Sequence, residues 1–211
     1  MILSLRDYLP YPDSTELLTF KDINPAIFNY ARHLHLSSYF LQRRLKKDVG
    51  RLFQPAREKE LTTSFDTGFD PAEKWNGEIF EVLSNTSIFL PNEIELLAIT
   101  RSPTIKGAMK LLSSRVDITV AKRGEKGAVA QRGNKIIYQK AFPVEVVDTT
   151  GAGDAFNAGF ISAYLQGMSL QECLRWGNAC GAIACTAAGG TTALPTRKKL
   201  RSFLKDKVGD L

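Results

Sequence analysis

Apolar positions along the chain recur at two spacings, and the spacing switches repeatedly between them. Leu61–Asp66, Ile88–Leu90 and Asp117–Ala121 are short apolar or β-branched runs, which predicts buried strands. Between them, Leu41, Leu45, Val49, Leu52 and Phe53 recur at helical spacing, predicting a helix over Leu41–Ala56. Further helices are predicted over Trp75–Ser84 and Thr104–Ser113. Upstream, Met1–Leu5 is a candidate strand and Tyr8–Asp13 a loop. Asn24-Pro25 opens a helix to about Ala31, with Asn24 as cap and Pro25 in the first turn. Arg32–Ser38 alternates like a strand, with His33 and His35 on one face as packing residues or ligands.

Downstream, Val129–Gln139 reads as a β-ribbon turning at Gly133-Asn134. Phe142–Val147 is dense in Val and Phe and predicts a buried strand. Ala155–Leu165 predicts a mostly apolar, buried helix. Ser169 caps a helix running through Ala188, and a basic, solvated helix follows Pro195. No internal repeat or low-complexity linker interrupts this alternation. It predicts a single α/β domain: three α/β/α layers around a mostly parallel central sheet.

Composition narrows the class. A chain of 211 residues suffices for one well-buried α/β domain, and 44% hydrophobic with 24% charged residues is ordinary for a globular protein. No run approaches a membrane span and no signal-peptide pattern opens the chain, so a cytoplasmic location is the default. Cys173, Cys180 and Cys185 make an odd count with no disulfide pattern, which suits a reducing compartment. The net charge of +6 is spread; its clusters, Arg43–Lys47 and Arg197–Lys199, read as solvated helix faces rather than a nucleic-acid footprint. A positive surface also favours an anionic nucleotide.

The chemistry concentrates in Asp148-Thr149-Thr150-Gly151-Ala152-Gly153-Asp154, between the predicted strand and the apolar helix. Gly151 and Gly153 permit a sharp turn and close approach of backbone to ligand. Amide N–H groups at a helix start, aided by the dipole, attract an anion. A carboxylate there, Asp154, suits a group that takes a proton from a hydroxyl while the amides hold the phosphoryl group under attack. An ordinary glycine turn with Asp154 as helix cap is the simpler alternative. No Gly-x4-Gly-Lys-Ser/Thr is present, and Phe156 stands where a dinucleotide fingerprint needs its third Gly.

The string Val146–Phe156 closely resembles the second signature of the PfkB (ribokinase-like) carbohydrate kinase family. Pro91-Asn92-Glu93-Ile94-Glu95 resembles that family's Asn-x-x-Glu motif, and Ala187–Thr192 its cation-site loop. The resemblance implies a ribokinase-like fold and an ATP-dependent phosphotransferase acting on a sugar hydroxyl. It implies Asp154 as catalytic base and the backbone of Gly151, Ala152 and Gly153 as anion hole. Asn92 and Glu95 would order Mg2+ and its waters; Asp148 and Thr150 would help hold a monovalent cation, K+. Lys122, Gly124 and Gly127 would wall the nucleotide, Lys122 either contacting phosphate or facing solvent. Asn178 would lie against the adenine.

Departures from the family pattern matter as well. Asp66-Thr67-Gly68 stands where many relatives carry Asp-x-Asn, leaving Asp66 as a crevice residue or a loop cap. The early strands, the lid and the Gly-Gly sugar-gripping segment are not found before Met1, so the chain reads as an N-terminally truncated member. A sheet lacking those strands exposes an edge, which leaves room for a homodimer. The rival functions are a nucleotide-binding remnant or regulatory subunit without turnover, and a nucleoside kinase.

Overall fold

The computed structural model describes residues 2–4, 14–75 and 78–207; the predicted loop Tyr8–Asp13 lies outside them. The chain divides into two compact units, Met1–Val120 with Gln131–Asn134, and Ala121–Ala130 with Lys135–Leu211.

The first unit follows the predicted alternation. Strand β1 (Ile2–Ser4) and the short helix α1 (Ser14–Leu17) lead to β2 (His33–Leu36). Helix α2 (Val49–Glu58) is followed by β3 (Thr62–Phe65), α3 (Ile79–Ser84) and β4 (Ile88–Phe89). Helices α4 (Glu93–Thr100) and α5 (Ile105–Leu112) then precede β5 (Ile118–Lys122), whose last two residues, Ala121 and Lys122, belong to the second unit. The strands β1 to β5 pair in chain order, all parallel, with Leu34 opposite Thr63 and Phe65 opposite Phe89. Two of this unit's helices show a buried stripe: α2 turns in Val49, Leu52, Phe53 and Ala56, and α5 turns in Ala108, Met109 and Leu112. Phe65 is fully buried, edge-on to Tyr39 at 5.2 Å and stacked on Phe89 at 5.8 Å. Burying one such ring contributes roughly 2–3 kcal/mol.

The second unit carries the first three residues of β6 (Ala128–Arg132) and all of β7 (Lys135–Gln139), strands joined by the Gly133-Asn134 turn. Helices α6 (Ala152–Tyr164), α7 (Leu170–Ala184) and α8 (Arg197–Asp206) complete it. Helices α6 and α7 meet closely because the contact is built from small residues. A Cβ added at Gly159 would sit 2.7 Å from the Cys180 Sγ, and one at Gly177 would sit 2.8 Å from the Phe156 ring. Cys173 and Cys180 are buried and Cys185 half-buried, and all three are free thiols. Burial alone pushes the Cys180 thiol up to about 12, so it behaves as a small apolar side chain.

Several predicted elements are corrected. Phe142–Val147 is not a buried strand: it forms no regular element, and only Phe142 in it is buried. Val146 and Val147 are exposed, at 60% and 59%, and the Val147 amide donates to the Cys185 carbonyl rather than to a strand. Pro143 has no amide to offer a ladder, and apolar density alone does not create a partner strand. The helix predicted from Leu41 begins only at Val49; Tyr39–Leu41 and Lys46–Asp48 are separate 3-10 turns, so the Arg43–Lys47 cluster precedes the helix.

The segment after Asn24 is a 3-10 helix, Pro25–Asn29, with the Asn24 side chain accepting from the Ala26 amide as a cap should. Helix α3 starts at Ile79 rather than Trp75, and α7 stops at Ala184, short of Ala188. Helix α8 is not solvated all round: Leu200 and Leu204 are buried, and Phe203 packs edge-on against Phe142 at 5.4 Å.

Candidate active site

In the second unit the site is built on the entry to α6. One carboxylate ties the turn together. Asp148 accepts through Oδ1 from the Thr150 amide at 2.9 Å and the Thr150 hydroxyl at 2.8 Å. Through Oδ2 it accepts from the Gly189 amide at 2.9 Å. The Thr150 amide, followed by the Gly189 amide, holds the Asp148 carboxyl below the usual carboxylate range. The structure therefore brings Asp148, Thr150 and the 187–192 loop to one place.

Gly151 precedes the helix in the left-handed region, at φ 74. A Cβ there would lie 2.6 Å from the Gly190 carbonyl oxygen, so both backbone shape and space require glycine. Gly151 has no side chain to cap the first turn. Of the three amides expected to hold an anion, that of Ala152 donates to the Thr149 carbonyl at 3.2 Å. Gly153 and Asp154 lie exposed in the first turn, while Ala155 and Phe156, the next two residues, are buried. The short side of the turn thus faces out with its carboxylate, and the apolar side anchors it.

Lys122, the last residue of β5, reaches toward the same turn. Its Nζ donates to the Asn157 Oδ1 at 3.2 Å, and a Cβ added at Gly153 would lie 3.7 Å from that Nζ. Gly124 and Gly127 both have positive φ, 57 and 84, and frame the 3-10 turn Gly124–Lys126. A Cβ on Gly127 would collide with the Gln139 carbonyl and lie 2.6 Å from the Ala141 amide. Asn178 is buried, and its amide group donates to the carbonyls of Gln139 at 3.1 Å and Lys140 at 2.9 Å. Gly127 and Asn178 therefore converge on the end of β7. The Asn178 donors are spent there on backbone, a structural duty beside the adenine contact that the resemblance implies.

In the first unit, Asn92 and Glu95 close on each other at the start of α4. The Glu95 amide donates to Asn92 Oδ1 at 2.8 Å, and the Asn92 amide donates back to Glu95 Oε2 at 2.9 Å, a capping box. Asn92 Nδ2 also donates to Glu95 Oε1 at 2.7 Å, and Thr67 Oγ1 to Oε2 at 3.4 Å. Glu95 is buried. A carboxylate so engaged suits a cation that keeps its water shell better than one demanding direct ligands.

Asp66 is also buried and accepts from the Gly68 amide at 2.9 Å, as a loop cap does. The two histidines pack across strands. His33 hydrogen-bonds Thr62 and Ser64, and His35 shares Ser64, each at 2.7 Å. Burial drives the His33 pKa down to about 3. Among the described residues no cluster of three or more His, Cys, Asp or Glu could hold a metal. No helix of the described residues is long and apolar enough to cross a membrane.

Comparison with known proteins fits this geometry. Residues 6–197 match the pfkB family carbohydrate kinase profile. The chain belongs to that family. An uncharacterized sugar kinase of Archaeoglobus fulgidus is 37% identical over 77% of this chain and 64% of that protein. A cytidine kinase of Thermococcus kodakarensis is 33% identical over 72% of this chain and 55% of that protein. Among solved structures, an E. coli protein assigned as ribokinase II, in complex with ATP and Mg2+, superposes with a TM-score of 0.83 at 25% identity. The superposition covers 90% of this chain and 64% of that one. Arabidopsis thaliana ribokinase, complexed with ribose and ATP, gives 0.76 at 27% identity over 89% and 60%. The chain thus spans less than two thirds of the length of these relatives. The fold is the ribokinase-like three-layer α/β/α, with a mostly parallel sheet, as the sequence alternation predicted.

Asn157 is the contact that sequence reasoning missed. It sits three residues after Asp154 in an otherwise apolar stretch, and it is 1% exposed. A buried amide on the apolar face of a helix was the available signal, because such a group needs a partner.

Proposed function

We propose that this chain carries the phosphoryl-transfer machinery of an ATP-dependent kinase acting on an alcohol group of a sugar. The observation that carries the reading is the entry to α6: a glycine in place of a capping side chain, followed by an exposed carboxylate in the first turn. A helix start without a side-chain cap suits an incoming anion, and a carboxylate beside it suits proton removal.

In this reading Asp154 takes the proton of the acceptor hydroxyl. The hydroxyl oxygen then bonds to the γ-phosphorus, the bond to the β–γ bridging oxygen breaks, and ADP leaves. The backbone at Gly151–Gly153 and the positive end of α6 stabilise charge on the transferred group. Asn92 and Glu95 would order Mg2+ through its waters, and such an ion would supply charge neutralisation to the phosphates. Asp148, with its carboxyl lowered by its amide partners, and the 187–192 loop would hold K+. Lys122, Gly124 and Gly127 line the nucleotide.

The test is ADP release from ATP across a panel of sugars and nucleosides, beside calorimetry of ATP binding. Turnover with a sugar and its loss in Asp154→Asn, with ATP still bound, supports the reading. ATP binding with no turnover on any acceptor identifies a binding-only protein instead. A nucleoside acceptor is the second reading, favoured by the similarity to the Thermococcus cytidine kinase. Turnover with cytidine but no sugar selects it.

A further inference from the structure

The Lys122–Asn157 contact joins a cation to a buried neutral amide at the start of α6. A lysine stem is flexible, and holding its ammonium in one place costs rotamer freedom. Asn157 supplies the hold: its side chain is locked in the packed face of α6, and its Oδ1 accepts one of the three ammonium N–H bonds. Asn157 lies one helical turn beyond Asp154, so the same helix fixes both carboxylate and ammonium. The Gly153 spacing shows where the charge ends up: over the first turn.

We infer that Asn157 is a positioning residue that holds the Lys122 ammonium at the entry to α6, where it grips the terminal phosphate of ATP. The inference rests on the kinase reading above. The charge of the terminal phosphoryl is spread over its oxygens during transfer, and a fixed ammonium beside the helix start meets that charge without reorganising.

Calorimetry with ATP and AMP on the full chain, wild type and variants, tests it. Lys122→Met is expected to weaken ATP about tenfold to hundredfold, the worth of a hydrogen bond to a charged group, with AMP unchanged. Asn157→Leu keeps the volume and removes the acceptor; ATP should weaken about threefold to tenfold, again without change in AMP. In the Lys122→Met background, Asn157→Leu should add nothing. Equal losses for ATP and AMP, or additive losses in the double variant, would show a merely structural role and overturn the inference. ATP affinity untouched by Lys122→Met overturns it while leaving the kinase reading intact. No ATP binding by the wild-type chain overturns both. Should Asn157→Leu fail to fold, Asn157→Asp keeps the shape and neutralises the ammonium. A loss selective for ATP supports the inference in that variant, and its absence refutes it.

Discussion

Two helix starts in this protein are built in opposite ways. At α4, Asn92 and Glu95 exchange hydrogen bonds and the glutamate is buried. At α6, a left-handed glycine stands where the cap would be, and the nearby aspartate faces out. The first arrangement satisfies the orphan amides of a helix from within, which stabilises the helix. The second declines that stabilisation and leaves the positive end of the helix to something else. Replacing the α4 cap should therefore register in stability, and replacing the α6 carboxylate in function.

The largest expected effect breaks the open start chemically. Asp154→Asn should lower turnover by about a hundredfold to ten-thousandfold, the usual worth of a general base, with melting temperature unchanged. Near-normal turnover would leave Asp154 as ornament and erase the contrast. Next, Gly151→Ala forces a Cβ into the left-handed region and against the Gly190 carbonyl. We expect a loss of roughly 3 kcal/mol in chemical denaturation.

Acid probes the two units separately. His33 in the first unit is held neutral down to about 3, while the unfolded chain protonates it near 6.5. Its folded pKa is lowered, so the unfolded state binds the proton first and stability falls as pH drops from 6.5 towards 3. At pH 5 the loss should be about 2 kcal/mol, and His33→Gln should abolish that slope. Asp148 in the second unit is lowered as well, so its contribution is also lost towards acid, but only as pH falls below the ordinary carboxylate range. The smallest effect tests the closed start. Asn92→Ala removes the α4 cap and should cost about 1 kcal/mol of thermal stability.

Much of this was legible in the sequence. The α6 apolar run, the strand at Ile118 and the helix near Thr104 could be read because each signal is local. The Asn92–Glu95 pairing was legible too, since both partners lie within one turn. The misses have a common cause. Phe142–Val147 carries strand composition, but strand identity depends on a partner that composition does not encode. The true start of α2 at Val49 was blurred because the 3-10 turns before it keep apolar residues near helical spacing. Asn178 reaches carbonyls 38 and 39 residues away, and Asn157 meets Lys122 35 residues upstream. Long-range polar pairs leave no periodic trace, so their roles emerge only from coordinates.

The glycine seam between α6 and α7 has a reach beyond packing. With Gly159 against Cys180 and Gly177 against the Phe156 ring, the interface has no slack to absorb even one methyl group. Any strain introduced there is passed along a stiff rod whose tip is Asp154. If Asp154 is the base of the proposed kinase, variants that impair turnover should therefore turn up along this seam as well, where one added methyl group shifts the start of α6.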